Sequence, residues 1–258
     1  MTVTFLGTGT SQGVPLIACE CAVCSSPDPH DKRLRSAIWV RTKEASVVID
    51  AGPDFRYQML RAGVKSLDAV VFTHGHKDHI AGLDDVRAYN FIQQRPMDVW
   101  ATEETAQAIR REFSYVFENA GYPGVPQLNM ITIDPAHTIR IKDLELQPIR
   151  VKHYMMEVLG FRIGPFTYIT DANFIAPEER DKARGSEVLV LNALRHEAHI
   201  SHFTLLEALD VAADIGAGRT YLTHISHQLG IHLELNTYLP TGVQLAYDGL
   251  RLEFPEYP

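Results

Sequence analysis

The stretch "THGHKDHIAG", residues 73–82, constrains this chain more than any other. It sets His74-x-His76-x-Asp78-His79 directly after the β-branched run "DAVVFTH" and directly before "IAGLDDVRAY" (80–89), which reads as a helix. Strand ends are rigid, and the loop that leaves one folds several side chains onto a single point. Neutral imidazole and carboxylate are borderline donors suited to zinc, manganese or iron. One ion cannot use all these donors at sensible angles, whereas a pair of ions can. A ring at a helix N-terminus, as at His79, is biased toward the neutral form that ligates. A solvated polar loop that happens to be rich in histidine is the alternative this arrangement has to displace.

The rest of the chain alternates short strands with helices. "VTFLG", "SAIWVR" and "SVVIDAG" read as strands, and Asp54 to Arg61 as a short helix. "MDVW" is a strand, and residues 102–117 read as one helix with Thr102 as N-cap. From Leu128 the pattern turns β-rich through "MITID", "HTIRI", "LELQPIRV", "VLGFRI" and "FTYITD", followed by "EVLVLN". "TLLEALDVAADIG" is a helix with a Thr204/Glu207 capping box and a stop at Gly216. "RTYLTH" is a strand, then a short helix, then a final hairpin turning at Asp248-Gly249. No linker, repeat or shift in composition divides residues 1–258, so the expectation is one α/β (α+β) domain: two sheets with helices outside, an αββα sandwich.

A second cluster is "CECAVC", which gathers all three cysteines at Cys19, Cys21 and Cys24. Three thiolates this close suit one tetrahedral zinc, and a closed site needs a fourth ligand. His30 is near in sequence, and His227, in "LTHISHQLG", is remote; the residues alone leave both open. The knuckle occupies a loop at about residues 7–30. Its opening, "GTGTSQG", has neither the dinucleotide nor the Walker spacing. Asp50, at the end of "SVVID", is placed either to orient a ligand histidine or simply to turn the chain before Gly52.

Together these features resemble a known family. H-x-H-x-D-H after a buried strand is similar to the signature of the metallo-β-lactamase superfamily, which implies the αββα sandwich with a two-metal site on the sheet edges. It also implies three downstream ligands, and the chain offers them in order: His153 after "LELQPIRV", Asp171 after "FTYIT" and His224 after "RTYLT". The resemblance assigns His74, His76 and His153 to one metal and Asp78, His79 and His224 to the other, with Asp171 between them. "GTGTSQGVP", "CECAVC" and "THISHQ" narrow it to the PhnP-type cyclic-phosphate phosphodiesterases. That branch implies that His224 serves the active site while His227 completes a Cys3His structural zinc. It also implies a phosphate-contacting or proton-donating role for His202. Asp78, Asp171 and His202 are then the catalytic set. The expected activity is hydrolysis of a small, cyclic phosphodiester, such as a phosphoribosyl cyclic phosphate, through a hydroxide shared by two divalent ions, zinc or manganese.

Other residues attract plainer readings. Arg35 reads as a surface or ion-paired residue, with a phosphate contact as the alternative, His196 and His199 as surface, and His137 and His232 carry no assigned role. "YMMEVLGF", after His153, is bulkier and more apolar than the family pattern. A net charge of −8 counts against a long nucleic acid, whose phosphates need a basic face. A tRNA 3′-end endonuclease, a thioester or lactone hydrolase, and a degenerate regulatory module are the alternatives. The longest apolar runs have strand length, and the first residues lack a signal-peptide pattern, so a cytoplasmic protein with no membrane partner is expected. A homodimer is compatible with all of this.

Overall fold

The computed structural model describes residues 1–118, 124–255 and 257. The chain begins with six strands: β1 (Thr2–Gly7), β2 (Ala37–Arg41), β3 (Ser46–Ile49), β4 (Ala69–Val71), β5 (Met97–Ala101) and β6 (Leu128–Thr132). Seven more follow: β7 (Ile139–Ile141), β8 (Leu144–His153), β9 (Met156–Ile163), β10 (Phe166–Tyr168), β11 (Val188–Asn192), β12 (Arg219–Thr223) and β13 (Val243–Leu245). The last strand, β14 (Arg251–Glu253), returns to pair with β1. Among the described residues this makes two seven-stranded sheets, ordered β14-β1-β2-β3-β4-β5-β6 and β13-β12-β11-β10-β9-β8-β7.

Period-two alternation sorts the side chains into layers. Val3, Phe5, Ile38, Val40, Val47 and Ile49 face Leu144, Leu146, Leu159, Phe161, Phe166 and Tyr168 across the central core. The opposite face of the first sheet packs against Phe55, Met59, Tyr89, Ala106 and Ile109 of its helices. The opposite face of the second packs against Leu205, Ala208, Val211 and Ile215. Each large apolar side chain so buried contributes about 1.5–3 kcal/mol. The result is the expected four-layer αββα sandwich.

The local expectations fail where long-range contacts intervene. Residues 80–89 are not one helix: a short helical turn, Lys77–Ile80, gives way to a 3-10 turn at Leu83–Val86 and a helix at Arg87–Gln93. The break is at Gly82, whose N–H donates to the Ala51 carbonyl at 2.9 Å and whose missing Cβ would lie 2.0 Å from the Gly52 oxygen. The helix expected over 102–117 is interrupted at Phe113, which caps Glu103–Glu112 with its ring buried. The final hairpin is also corrected. β13 joins β12 in the second sheet and β14 joins β1 in the first, so Asp248-Gly249 turns the chain between sheets. Asp248, its carboxylate turned inward, accepts from the Thr8 hydroxyl at 2.8 Å and the Leu34 N–H at 2.9 Å, which ties that passage to the N-terminal loop.

Strand direction fixes the position of the site. β3, β4 and β5 run parallel, as do β10, β11 and β12. β8 is antiparallel to β9, which is antiparallel to β10, so β8 ends on the same side as β10. The carboxyl ends of β3, β4, β8, β10 and β12 therefore deliver Asp50, His74, His153, Asp171 and His224 to one edge of the sandwich, where ligands gather in parallel sheets.

Candidate metal centre

Three of these strand ends bend sharply. Asp50, Asp171 and His224 have φ of 68°, 54° and 54°, the left-handed region that non-glycine residues enter at about 1–3 kcal/mol each. The bends turn the side chains inward. The histidine loop is seated against them by Ala51 N–H to His79 O at 2.8 Å, and Gly52 lies so close to the Asp78 carbonyl that a Cβ would be 2.0 Å from it. The loop docks on the other sheet through Leu159 N–H to Thr73 O at 3.0 Å.

Two donor groups result. His74, His76 and His153 bring ring nitrogens within 4.8 Å of one another, and so do the donor atoms of Asp78, His79, Asp171 and His224. Asp171 Oδ2 lies between the groups, 3.8 Å from His74 Nε2 and 3.4 Å from His79 Nε2, while its Oδ1 is 3.0 Å from His224 Nδ1. His74 Nε2 approaches His76 Nδ1 to 3.1 Å. All of these side chains are buried except His76 and Asp78, which are half-buried.

Hydrogen bonds on the far side of the rings set their tautomers. His79 Nδ1–H donates to Asp50 Oδ2 at 2.8 Å. His153 Nδ1–H donates to the Ser201 carbonyl at 2.7 Å, and His74 Nδ1–H to the Thr73 hydroxyl at 2.9 Å. The Thr73 hydroxyl and amide donate in turn to Asp50. In each ring Nε2 keeps its lone pair for the shared space. His79 Nε2 is buried with no hydrogen-bond partner among the described residues. Thr73 and Ser201 were not singled out in the sequence; only the adjacency of Thr73 to His74 could have flagged one of them.

Electrostatics points the same way. Burial drives His74 far to the neutral side, with His79 adding to it. Burial opposes charge on His79 and on Asp171 as well, yet the carboxylates of Asp78, Asp171 and Asp50 favour positive charge at His79 Nε2, where a proton and a divalent ion compete for one lone pair, and His224 and His79 hold Asp171 ionised. Among the described residues no lysine or arginine pairs with Asp50, Asp78 or Asp171. Buried carboxylates without a basic partner are costly unless cations join them. The donor chemistry, the orphaned Nε2 and the missing counter-charge all fit divalent ions.

The knuckle lies beside this edge. Thr10 N–H donates to Ile225 O at 3.1 Å and Ile225 N–H to Thr8 O at 2.9 Å, so the N-terminal loop is stitched to the end of β12. Thr10 Oγ1 comes within 3.4 Å of His224 Nε2. Beyond His224 the chain turns, and His227 Nδ1 reaches Cys19 Sγ at 3.4 Å and Cys21 Sγ at 3.3 Å. Cys19, Cys21, Cys24 and His227 all bring donor atoms within 4.8 Å of one another. The His227 ring and the Cys24 N–H draw the Cys21 thiol down to about 6, while burial pushes Cys24 up to about 11. His30 stands apart, bonded to Asp28 at 2.8 Å and stacked on His232.

His202 is buried between the His153 and His224 rings, with centroids at 4.5 and 4.8 Å, and its donor atom groups with those of His153 and Asp171. Its Nδ1 has no partner among the described residues. Burial, reinforced by His224, lowers its pKa to about 3. Arg35 pairs with Asp54 at 3.2 Å, and exposed His137 bonds Asp134. His196 is exposed and bonds the Leu229 carbonyl; half-buried His199 lies against His202. Among the described residues no helix is long and apolar enough to cross a membrane.

A model of the beta-lactamase superfamily domain matches residues 45–225. The chain is 39% identical over 97% of its length to an octanoyltransferase of Porphyromonas gingivalis, of which it spans 51%. Ribonuclease Z of Methanosarcina mazei is 25% identical over 58% of this chain and 44% of its own. The chain thus spans about half the length of these curated relatives. Among solved structures, a diphosphatase from the PhnP family superposes with a TM-score of 0.92 at 43% identity, covering 98% of this chain and 97% of that one. Zn(2+)-bound PqqB from Methylobacterium extorquens superposes with a TM-score of 0.81 at 21% identity over 98% of this chain and all of that one, a likeness of fold alone.

Proposed function

The chain belongs to the β-lactamase superfamily and, within it, to the PhnP family; from that premise we propose that it is a dinuclear metal-dependent hydrolase of a small phosphodiester. The observation that carries the reading is the position of Asp171, whose carboxylate lies between the His74/His76/His153 and Asp78/His79/His224 groups. We assign the first group to one divalent ion, zinc or manganese, the second to another, and Asp171 to both. We assign Cys19, Cys21, Cys24 and His227 to a structural zinc.

When bound, the two ions supply an activated water near neutral pH and positive charge against the phosphoryl oxygens. The protein's own residues do the rest. Asp50 and Thr73 keep the His79 and His74 lone pairs aimed inward, and the Ser201 carbonyl does so for His153. His202, buried between the His153 and His224 rings, keeps a neutral imidazole whose one N–H would hydrogen-bond the leaving oxygen. Two divalent ions outweigh the charge of Asp78, Asp171 and a hydroxide, so the site attracts a compact anion. The net charge of −8 repels a long nucleic acid, which sets this reading apart from tRNA processing.

A second reading, cleavage of a diphosphate linkage, is favoured by the PhnP-family diphosphatase at 43% identity. Octanoyl transfer is not carried over, because the chain spans only 51% of the octanoyltransferase it resembles. The test is a panel of cyclic diesters, bis-p-nitrophenyl phosphate, diphosphate esters, a thioester and a lactone, with metal analysis of the same preparation. Turnover of the phosphorus substrates alone, with about three metals per chain, supports the proposal. Fully metal-loaded protein that turns over only the thioester or lactone, or nothing, overturns it.

A further inference from the structure

β8 and β9 are joined by two residues, Tyr154 and Met155, placed directly after His153. Tyr154 holds φ at 57°, a conformation that glycine or asparagine enters at much lower cost. Tyr154 is nevertheless 56% exposed, and Met155 is 79% exposed. A bulky aromatic in a strained turn, contributing little to the core, calls for a reason outside folding.

The turn is not loose. Its Tyr154 N–H donates to Asn173 Oδ1 at 2.7 Å, and Asn173 Nδ2 donates to the Ile200 carbonyl at 3.2 Å. Asn173 lies two residues after Asp171, and Ile200 two residues before His202. One amide side chain therefore laces together three loops, each bearing a residue of the candidate site. His153 Nδ1–H to the Ser201 carbonyl is a second tie between two of them. Ile200 is itself 65% exposed. The loops that bear His153, Asp171 and His202 thus also carry three exposed apolar residues, Tyr154, Met155 and Ile200, on backbone fixed by hydrogen bonds; together these form an apolar rim.

We propose that this rim binds a planar aromatic group, a nucleobase or an aryl ring, attached to the phosphoryl group at the metal centre. The inference rests on the phosphoester reading above and names its substrate class. Polar sugars and short alkyl groups gain less than a planar ring from three exposed apolar side chains, because they cover less apolar area. A ring stacked on Tyr154 beside Met155 and Ile200 would take apolar surface of these residues out of water.

The experiment is equilibrium binding of phenyl phosphate and methyl phosphate to the metal-loaded protein, which needs no turnover. The native chain should bind phenyl phosphate about tenfold tighter. Tyr154→Gly removes the ring and relieves the left-handed strain, so the fold is favoured; the preference should fall close to parity. Tyr154→Phe should keep it. Equal affinities in the native chain, or a preference that survives in Tyr154→Gly, overturn the inference. The substrate panel on the same preparation separates the two claims: a phenyl preference without phosphorus turnover removes the hydrolase reading and leaves the rim, and turnover without preference does the reverse.

Discussion

Asp50 Oδ2 accepts the His79 Nδ1 proton at 2.8 Å, and both side chains are fully buried. The carboxylate also receives the amide and hydroxyl of Thr73, which bonds His74, so one buried anion orients a donor from each group. Asp50→Asn keeps the shape but loses the charge and one acceptor. Metal affinity of the Asp78/His79/His224 group should fall about 10- to 100-fold. Competition with a chelator reads the value directly, and an unchanged affinity would place the control of His79 elsewhere.

His224 and His227 are three residues apart and face different groups. His227→Ala should lose one zinc per chain and lower the melting temperature by roughly 5–10 °C, because metal binding is also folding energy. His224→Ala should retain that zinc and lose turnover. His30→Ala should retain all the metal, since its ring stacks on His232 instead. Metal analysis of the three variants checks the assignment, and loss of zinc from His30→Ala would reverse it.

Local chemistry was legible in the sequence, and long-range pairing was not. The α/β (α+β) class followed from the period of the strands and their alternation with helices, because each β-rich run reports its own buried face, and the family resemblance carried by the histidine loop implied the αββα layering. The Thr204/Glu207 capping box and the Gly216 stop were readable for the same reason, each depending on a few adjacent residues. Asp248-Gly249 carried a sound turn signal, but only pairing of β14 with β1, across nearly the whole chain, decides that the turn bridges two sheets. At the site, the donors of the histidine loop announce themselves by spacing. Nothing in the sequence shows that Asp171 and His224 adopt positive φ, or that the Ser201 carbonyl faces His153, because those depend on how separate strand ends meet.

His202 supplies a prediction about leaving groups. Its pKa of about 3 in this buried position leaves the ring neutral, with one N–H to offer a departing oxygen. A p-nitrophenolate leaves without such help, whereas an alkoxide does not. His202→Ala should therefore lower kcat about 100-fold or more for alkyl leaving groups and much less for p-nitrophenyl esters. Equal losses on both would limit His202 to holding phosphate or packing His153.

The last prediction concerns acid stability away from the metal site. The buried His232 ring accepts from the Arg33 guanidinium at 3.0 Å and stacks on His30, and the backbone N–H of His232 donates to the buried carboxylate of Asp31. Burial first, and Arg33 next, lower its pKa from 6.5 to about 4. The folded state thus prefers the neutral ring, and the sign follows: the contribution is complete above the unfolded value of 6.5 and is lost as pH falls toward 4. Its full extent is roughly 3 kcal/mol, at 1.36 kcal/mol per pKa unit. His232→Gln cannot take up the proton. The stability advantage of the native chain over this variant, measured by denaturant unfolding, should shrink steadily between pH 6.5 and 4. A difference that stays level across that window would mean that His232 is neutral in both states or charged in both.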